Sequence, residues 1–294
     1  MGQKLFIKIQ YHNFEPGEFV YNRKLSYEET VPVIRSFPWE EERTKLRVSL
    51  TNPSITFQTD GNLFLKLALY YNKKFILYFY DGMNLYTHSF SELEDSFTLI
   101  EYFFVHSDID RSQYKLERAG GKKLNIHFLS QDFVYSTANK SFFQLMEYWT
   151  RTLLIFDVVA GIYLVIRYGL STTNIFLVLF LIFILGGINL IIHINYFLNS
   201  RNEKLVLSQG SDSFLFGKSE TPTKYFKKDI HQIIIEKNTS SGCPWNGYTL
   251  TCIEMKDGEV LPVSSIFLHA YEIEKKIPDI IAKTNAVMFP FFHH

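Results

Sequence analysis

The longest apolar run of the chain lies in its middle. Residues 175–198 read IFLVLFLIFILGGINLIIHINYFL, 24 residues without a formal charge. As a helix this run would be about 36 Å long, enough to cross a hydrocarbon core of about 30 Å. The pattern therefore predicts a transmembrane helix over about 175–198.

A second and weaker apolar run, residues 152–170, precedes it and contains Asp157 and Arg167. The few residues between the two runs predict a tight hairpin of two transmembrane helices. Before the hairpin, apolar residues recur at helical spacing from Phe142 to Trp149. This spacing predicts an amphipathic lead-in at a membrane interface, so that residues 141–200 form one membrane segment with Trp149 and Arg151 as interfacial anchors.

Basic residues are more frequent on the outer flanks of the predicted hairpin than in its connecting loop. This bias predicts that both termini are cytosolic and that the protein is a multi-pass protein of a bacterial inner membrane. Asp157, Asn189 and His193 lie inside the predicted spans, and an antiparallel hairpin would place Asp157 at the depth of His193. We expect a polar contact of Asp157 with His193 or Asn189. The outer half of both spans lacks polar residues, which favours a packing role over a proton relay.

The region before the hairpin, residues 1–135, has the pattern of a soluble α+β binding domain. A capping box at Ser26 and Glu29 predicts a helix over 27–36, and a second box at Ser91 and Glu94 predicts one over 92–104. Alternating apolar runs separated by Asp-Gly and Asn-containing turns predict consecutive antiparallel strands. The predicted strands cover residues 4–10, 54–59, 63–71, 74–80, 85–89 and 124–129.

The region after the hairpin, residues 203–290, has several short alternating runs followed by an amphipathic segment over 266–283. This order predicts a strand meander that is closed by one C-terminal helix. The predicted strands cover residues 204–207, 213–216, 223–226, 230–236, 248–255 and 259–263.

Two segments of this region, KLVLSQGSDSFLFGKSETPTKYFKKDIHQIIIEK and WNGYTLTCIEMKDGEVLPVSSIF, resemble bacterial PH-like domains attached to membrane hairpins. The step Lys228-Asp229-Ile230 matches the opening of a central strand in that family. The resemblance implies a PH-like β-barrel with a closing helix.

Lys224, Lys227 and Lys228 form a basic cluster that could contact anionic lipid, and Trp245 lies on a predicted loop that could do the same. The alternatives are a solvated strand edge for the lysines and a half-buried loop anchor for Trp245.

In the first region, NPSITFQTDGNLFLKLALYYNKKFILYFYDGMNLYTHSF resembles Imm-type immunity domains of bacterial toxin systems. This resemblance implies a domain that binds a toxin and has no catalytic activity of its own.

Charge and motifs limit the classes of function that the sequence supports. Thirty basic and thirty acidic residues cancel, which gives no electrostatic basis for nucleic-acid binding. Nucleophile-elbow, Walker, HExxH and Rossmann motifs are absent from the sequence, and Cys243 and Cys252 lack zinc-site spacing. We therefore expect no catalytic residue, no metal and no cofactor.

These observations favour a membrane-anchored, non-enzymatic binding protein with membrane lipid and a toxin or signalling protein as partners. Its narrowest form is a toxin-neutralising immunity protein. The alternative is a membrane sensor or defence effector whose hairpin perturbs the bilayer.

Overall fold

The computed structural model describes residues 3–20, 22–45, 49–118, 122–169, 171–182, 186–240 and 242–292. The chain forms two compact units. One contains Met1–Asp132 together with Ser208–Ser211, and the other contains Phe133–Leu207 and Asp212–His294.

An antiparallel sheet forms the centre of the N-terminal unit. Its strands are β1 (Leu5–Gln10), β2 (Arg23–Leu25), β3 (Ser54–Gln58), β4 (Phe64–Leu69), β5 (Phe75–Tyr80), β6 (Leu85–Phe90) and β7 (Lys115–Arg118). The strand order is β2-β1-β3-β4-β5-β6-β7, so β3 to β7 form a meander and β1 joins it beside β3. The predicted strands 54–59, 63–71, 74–80 and 85–89 are confirmed within two residues at each end.

Three helices accompany this sheet: α1 (Tyr27–Ser36), α2 (Trp39–Thr44) and α3 (Asp95–His106). The capping box that begins α1 is formed as predicted, because Ser26 and Glu29 bond to each other's backbone N–H groups. The second predicted capping box is wrong. Residues 92–94 form a turn, and α3 begins after Glu94, whose side chain makes no cap hydrogen bond.

The central strands are buried on both faces. One face packs Leu65, Leu77 and Phe79 against Ile100 and other residues of the helices. The opposite face packs a second apolar cluster that includes Phe64, Tyr80, Leu124 and Phe128. Residues 122–127 form a 3₁₀ segment over this face, so the predicted strand at 124–129 is wrong. Leu124 and Phe128, four residues apart, both pack in this cluster. An extended strand and a helical turn can each place residues four apart on one face, and here the backbone forms a helical turn.

Two lysines are buried in the N-terminal unit. Lys66 Nζ donates to Gln10 Oε1, Leu50 O and His127 O at 2.9, 2.7 and 3.2 Å, and Lys8 Nζ donates to Phe128 O at 3.3 Å. Burial lowers the pKa of Lys66 to about 7, with the nearby Lys8 adding to the shift, and burial lowers the pKa of Lys8 to about 8. Lys66 thereby joins β4 to three other segments at the cost of burying an amine.

The C-terminal unit contains two four-stranded sheets within the described residues. The first consists of β8 (Val134–Ser136), β9 (Glu203–Val206), β10 (Ser213–Lys218) and β11 (Thr223–Phe226), in the order β11-β10-β9-β8. The second consists of β12 (Ile230–Lys237), β13 (Thr249–Met255), β14 (Val260–Ser264) and β15 (Lys283–Ala286), in the order β14-β13-β12-β15. One apolar core, including Leu205, Phe214, Ile233 and Ile253, joins them.

The closing helix is shorter than predicted. It is α8 (Ala270–Lys276), and it ends at Ile277 because Pro278 disfavours helical backbone at the residue before it. Its Ile273 is fully buried in the core of the two sheets. β15, which pairs parallel with β12, begins at Lys283, the last residue of the predicted helix.

The middle of the chain is a helical insertion between β8 and β9. It contains α4 (Phe142–Leu145), α5 (Tyr148–Tyr168), α6 (Thr172–Ile182) and α7 (Ile188–Asn199). One face of α7 packs its Ile192 and Tyr196 against Tyr248 and Leu250, at the start of β13. This helix therefore belongs to the core of the C-terminal unit.

The prediction of two transmembrane helices, at 152–170 and 175–198, is wrong. Among the helices that the structure describes, none combines the length and the apolar character that a membrane span requires. α5 carries Arg151, Asp157 and Arg167. α6 and α7 have 11 and 12 residues, about 16 and 18 Å, and residues 170 and 183–185 of the predicted spans lie outside the described residues.

The prediction of a two-pass inner-membrane protein with cytosolic termini rested on those spans, and it is wrong for the same reason. The hypothesis of a hairpin that perturbs the bilayer rested on them as well, and it falls with them.

The buried lysines predict a pH-dependent stability. An unfolded lysine has a pKa near 10.5, so between about pH 7 and 10 the unfolded chain binds more protons than the folded one, and the free energy of unfolding rises with pH. Replacing both residues (Lys8→Met, Lys66→Met) should flatten that rise in urea denaturation curves recorded from pH 7 to 9. Lys74→Met, at an exposed lysine, should keep the wild-type slope. An unchanged slope in the double variant would contradict the attribution of the pH dependence to Lys8 and Lys66.

Candidate functional site

The basic cluster predicted from the sequence lies at the edge of a sheet. β11 pairs with β10 on one side and ends the strand order on the other, so its outer edge has no neighbouring strand among the described residues. Side chains alternate along it. Tyr225 stacks on Phe214, with ring centroids 5.5 Å apart, while Lys224 and Phe226 are exposed.

Two lysines lie beside one aromatic ring. Lys224 Nζ lies 5.2 Å and Lys228 Nζ 5.6 Å from the ring centroid of Phe226, which is 43% exposed. Both distances are within the range of cation–π attraction. Both ammonium groups therefore lie beside the same exposed ring, and their like charge favours an anion near it. We call Lys224, Phe226 and Lys228 the cationic patch.

The lysines of the cationic patch are not neutralised by nearby acids. Within the described part of the chain, neither Lys224 nor Lys228 forms an ion pair. Lys256 donates from Nζ to the carbonyl of Lys228, which brings a third cation next to the patch. The arrangement is suited to an anionic group such as a phosphate or a carboxylate.

Lys227, the remaining member of the predicted cluster, is engaged elsewhere. Its Nζ donates to the carbonyl of Lys276 at 3.0 Å, and its backbone N–H donates to the carbonyl of Asp212. Lys227 therefore joins the 3₁₀ turn after β11 to the end of α8. The structure brings together two of the three predicted lysines and adds Phe226 and Lys256, which sequence reasoning missed. The alternation Lys224-Tyr225-Phe226 was the signal that could have found Phe226.

Trp245 is placed as a loop anchor rather than as part of the cationic patch. Its indole Nε1 donates to the carbonyl of Met288 at 2.9 Å, and its ring lies 5.4 Å from that of Phe289. The half-buried anchor weighed as the alternative agrees with this arrangement. Of the predicted interfacial anchors, Arg151 is exposed on α5, and the side chain of Trp149 lies outside the described residues.

Asp157, Asn189 and His193 are all buried in the helical insertion, but the predicted hydrogen bond between Asp157 and His193 is not formed. His193 Nε2 lies 3.0 Å from the carbonyl of Phe142, and its Nδ1 has no partner among the described residues. The side-chain amide of Asn189 and Asp157 Oδ2 likewise have none there. Burial raises the pKa of Asp157 and lowers that of His193, whose bond to Phe142 opposes the shift.

Asp157 lies against the start of the α7 segment. A Cβ atom at Gly186 would be 2.8 Å from Asp157 Oδ2, so a side chain at this position would have to displace the carboxyl group. The described residues contain no group of three His, Cys, Asp or Glu side chains arranged to hold a metal ion. We interpret this buried polar group as packing within the insertion.

The N-terminal unit has a shallow, open cavity of about 490 Å³ lined by α2, the start of β5 and the turn before α3. Aromatic side chains and glutamates line it: Phe37, Pro38, Trp39, Glu40, Glu41, Phe75, Glu92, Leu93 and Glu94. Glu40 and Glu41 pair with Arg43 and Lys45. Glu92 and Glu94 form no ion pair with any described residue, so the cavity has a net acidic character.

Comparison with known proteins identifies the C-terminal region. A family model described as a PH domain matches residues 134–276. The match confirms the PH-like prediction, and it begins at β8, so it includes the helical insertion. No curated protein and no solved structure matched the chain. The C-terminal unit thus carries a PH-like domain, a type of domain that acts as a binding module.

Proposed function

We propose that this protein is a non-enzymatic binding protein whose PH-like domain binds anionic phospholipid headgroups through the cationic patch. The observation that carries the proposal is the pair of lysines, Lys224 and Lys228, beside the exposed ring of Phe226, neither of which forms an ion pair with a described residue. An anionic phosphate group beside the ring would interact favourably with both ammonium groups. PH domains generally bind lipids or proteins, and the family match supports a ligand of one of these classes.

Electrostatics and apolar contact would act together at this surface. Each lysine beside an anionic lipid surface contributes about 1 kcal/mol to binding, and salt screens that contribution. Phe226 offers an apolar face next to the charges and orders both lysine side chains. Its location at a strand edge leaves it open to a ligand, because no described strand pairs there.

The N-terminal unit is the better candidate for a protein partner. Its cavity combines aromatic walls with two glutamates that form no ion pair with a described residue, which is suited to a basic peptide segment. We propose that it binds such a segment. Toxin neutralisation, the narrower hypothesis drawn from the Imm-type resemblance, remains a prediction about that partner.

The first prediction concerns the lysines. Lys224→Ala with Lys228→Ala should weaken binding of the full chain to vesicles of phosphatidylglycerol and phosphatidylcholine by roughly 30-fold, from about 1 kcal/mol per lysine. Vesicle flotation or titration calorimetry measures the effect. Lys275→Ala with Lys283→Ala removes the same charge from exposed positions outside the patch and should change the affinity little. Equal losses in both double variants would show that net charge, and not the patch, governs binding.

Phe226→Ala separates the aromatic contribution from the charges. We expect severalfold weaker binding to the same vesicles, because the ring no longer orders the two lysines. The dependence of affinity on salt concentration should stay as in the wild type, since no charge is lost. A variant that binds with wild-type affinity at low salt would exclude Phe226 from the site.

The acidic cavity predicts selective binding of basic peptides. Glu92→Lys with Glu94→Lys should lower the affinity for a lysine-rich test peptide about tenfold or more, measured by calorimetry. Glu101→Lys with Glu117→Lys makes the same change of charge at exposed positions outside the cavity lining. If both pairs of substitutions reduce binding alike, the cavity is not the site.

A further inference from the structure

The outer surface of α5 has a pattern that the PH-like binding function does not require. Tyr148, Thr152, Ile155, Val159, Ile162 and Ile166 follow one another at alternating steps of four and three residues. This is the spacing of the contact positions of a coiled coil, which places all six on one line along the helix. We call these six residues the α5 seam.

The α5 seam is exposed along its whole length. Its five large side chains are between 55% and 79% exposed, while Asp157 and Gly161, on the other side of the helix, are buried. A helix that buries one face in its own unit normally carries polar residues on the other. Here the outward face is apolar, and exposed apolar patches of this size mark interaction sites.

We propose that the α5 seam is a homodimer interface in which α5 packs antiparallel against α5 of a second copy. The spacing is symmetric about Asp157. An antiparallel two-fold therefore places Tyr148 beside Ile166, Thr152 beside Ile162 and Ile155 beside Val159 of the second copy. Each contact occurs twice, as a closed two-fold dimer requires.

The helix dipole favours this direction. α5 is 21 residues long, with a partial positive charge at its N-terminus and a partial negative charge at its C-terminus. Antiparallel packing places the N-terminus of each α5 beside the C-terminus of the other, whereas a parallel arrangement would place like ends together.

The available area is in the range of a specific interface. Seven large apolar side chains on or beside the α5 seam are more than half exposed: the five of the seam together with Phe156 and Tyr163. At roughly 100 Å² for each such side chain they offer about 700 Å², and a standard protein–protein interface buries about 600–1,000 Å² per partner.

Two neighbouring valines provide a matched test. Val159 is in the seam and Val158 is outside it, yet they are 60% and 56% exposed. The full wild-type chain should have twice the monomer mass of 34.5 kDa in light scattering or sedimentation. Val159→Glu should weaken dimerisation at least tenfold, because it buries a charge twice per dimer, whereas Val158→Glu, at the solvated rim of the seam, should weaken it much less. A monomeric wild type, or equal effects of the two substitutions, would overturn the proposal.

Disulfide trapping tests the direction of the helices. In a background with Cys243→Ser and Cys252→Ser, a mixture of Ile155→Cys and Val159→Cys chains should form a cross-linked heterodimer. Each variant alone should cross-link poorly, because antiparallel packing places identical positions beyond disulfide distance. Efficient cross-linking of each variant to itself would indicate parallel packing and contradict the proposed register.

Vesicle flotation distinguishes the seam from a lipid-binding surface and keeps this proposal separate from the cationic patch. The variant with Lys224→Ala and Lys228→Ala should lose vesicle binding and remain dimeric. A wild-type chain that is monomeric and loses vesicle binding with either Val158→Glu or Val159→Glu would show that the apolar surface binds lipid, and would overturn the dimer.

Discussion

The pairing of β8 with β9 is the contact on which the C-terminal unit depends. Val134 pairs with Val206 and Ser136 with Lys204, across the whole helical insertion. Closing so long a loop costs conformational entropy. Additional hydrogen bonds next to the β8–β9 pair offset this loss. Thr137 Oγ1 donates to the carbonyl of Ser200, whose own hydroxyl lies 2.7 Å from the buried hydroxyl of Ser264.

This junction explains why the apolar middle of the chain is part of a folded unit. Because the insertion leaves and re-enters one sheet at neighbouring strands, α7 is held where Ile192 and Tyr196 can pack on Tyr248 and Leu250. Asn189, His193 and Tyr196 recur on the buried face of α7 at helical spacing. The polar residues that resembled intramembrane groups in the sequence therefore lie inside the protein, where burial shifts the pKa of Asp157 and His193 toward their neutral forms.

The cationic patch and the α5 seam share one physical property: each contains an unfavourable interaction that its own unit does not compensate. The cationic patch holds two ammonium groups beside one ring without an acid partner among the described residues. The α5 seam leaves large apolar side chains in contact with solvent. An anionic ligand would neutralise the charge of the cationic patch, and a second copy of the chain would bury the apolar area of the α5 seam.

Local patterns in the sequence determined much of this protein. Alternation predicted β3 to β6 and β11 almost to the residue, and Ser26 and Glu29 predicted the start of α1. The strand order and the resemblance of two C-terminal segments to PH-like domains predicted the PH-like domain. Local pattern was insufficient wherever a distant partner decided the outcome. β8 is three residues long and forms because it pairs with β9, and β15 forms because it pairs with β12. The run at 175–198 has the composition of a membrane span, but the structure forms α6 and α7 from it and packs one face of α7 on β13. Hydrophobicity by itself says that a segment avoids water, and only the tertiary structure decides which surface covers it.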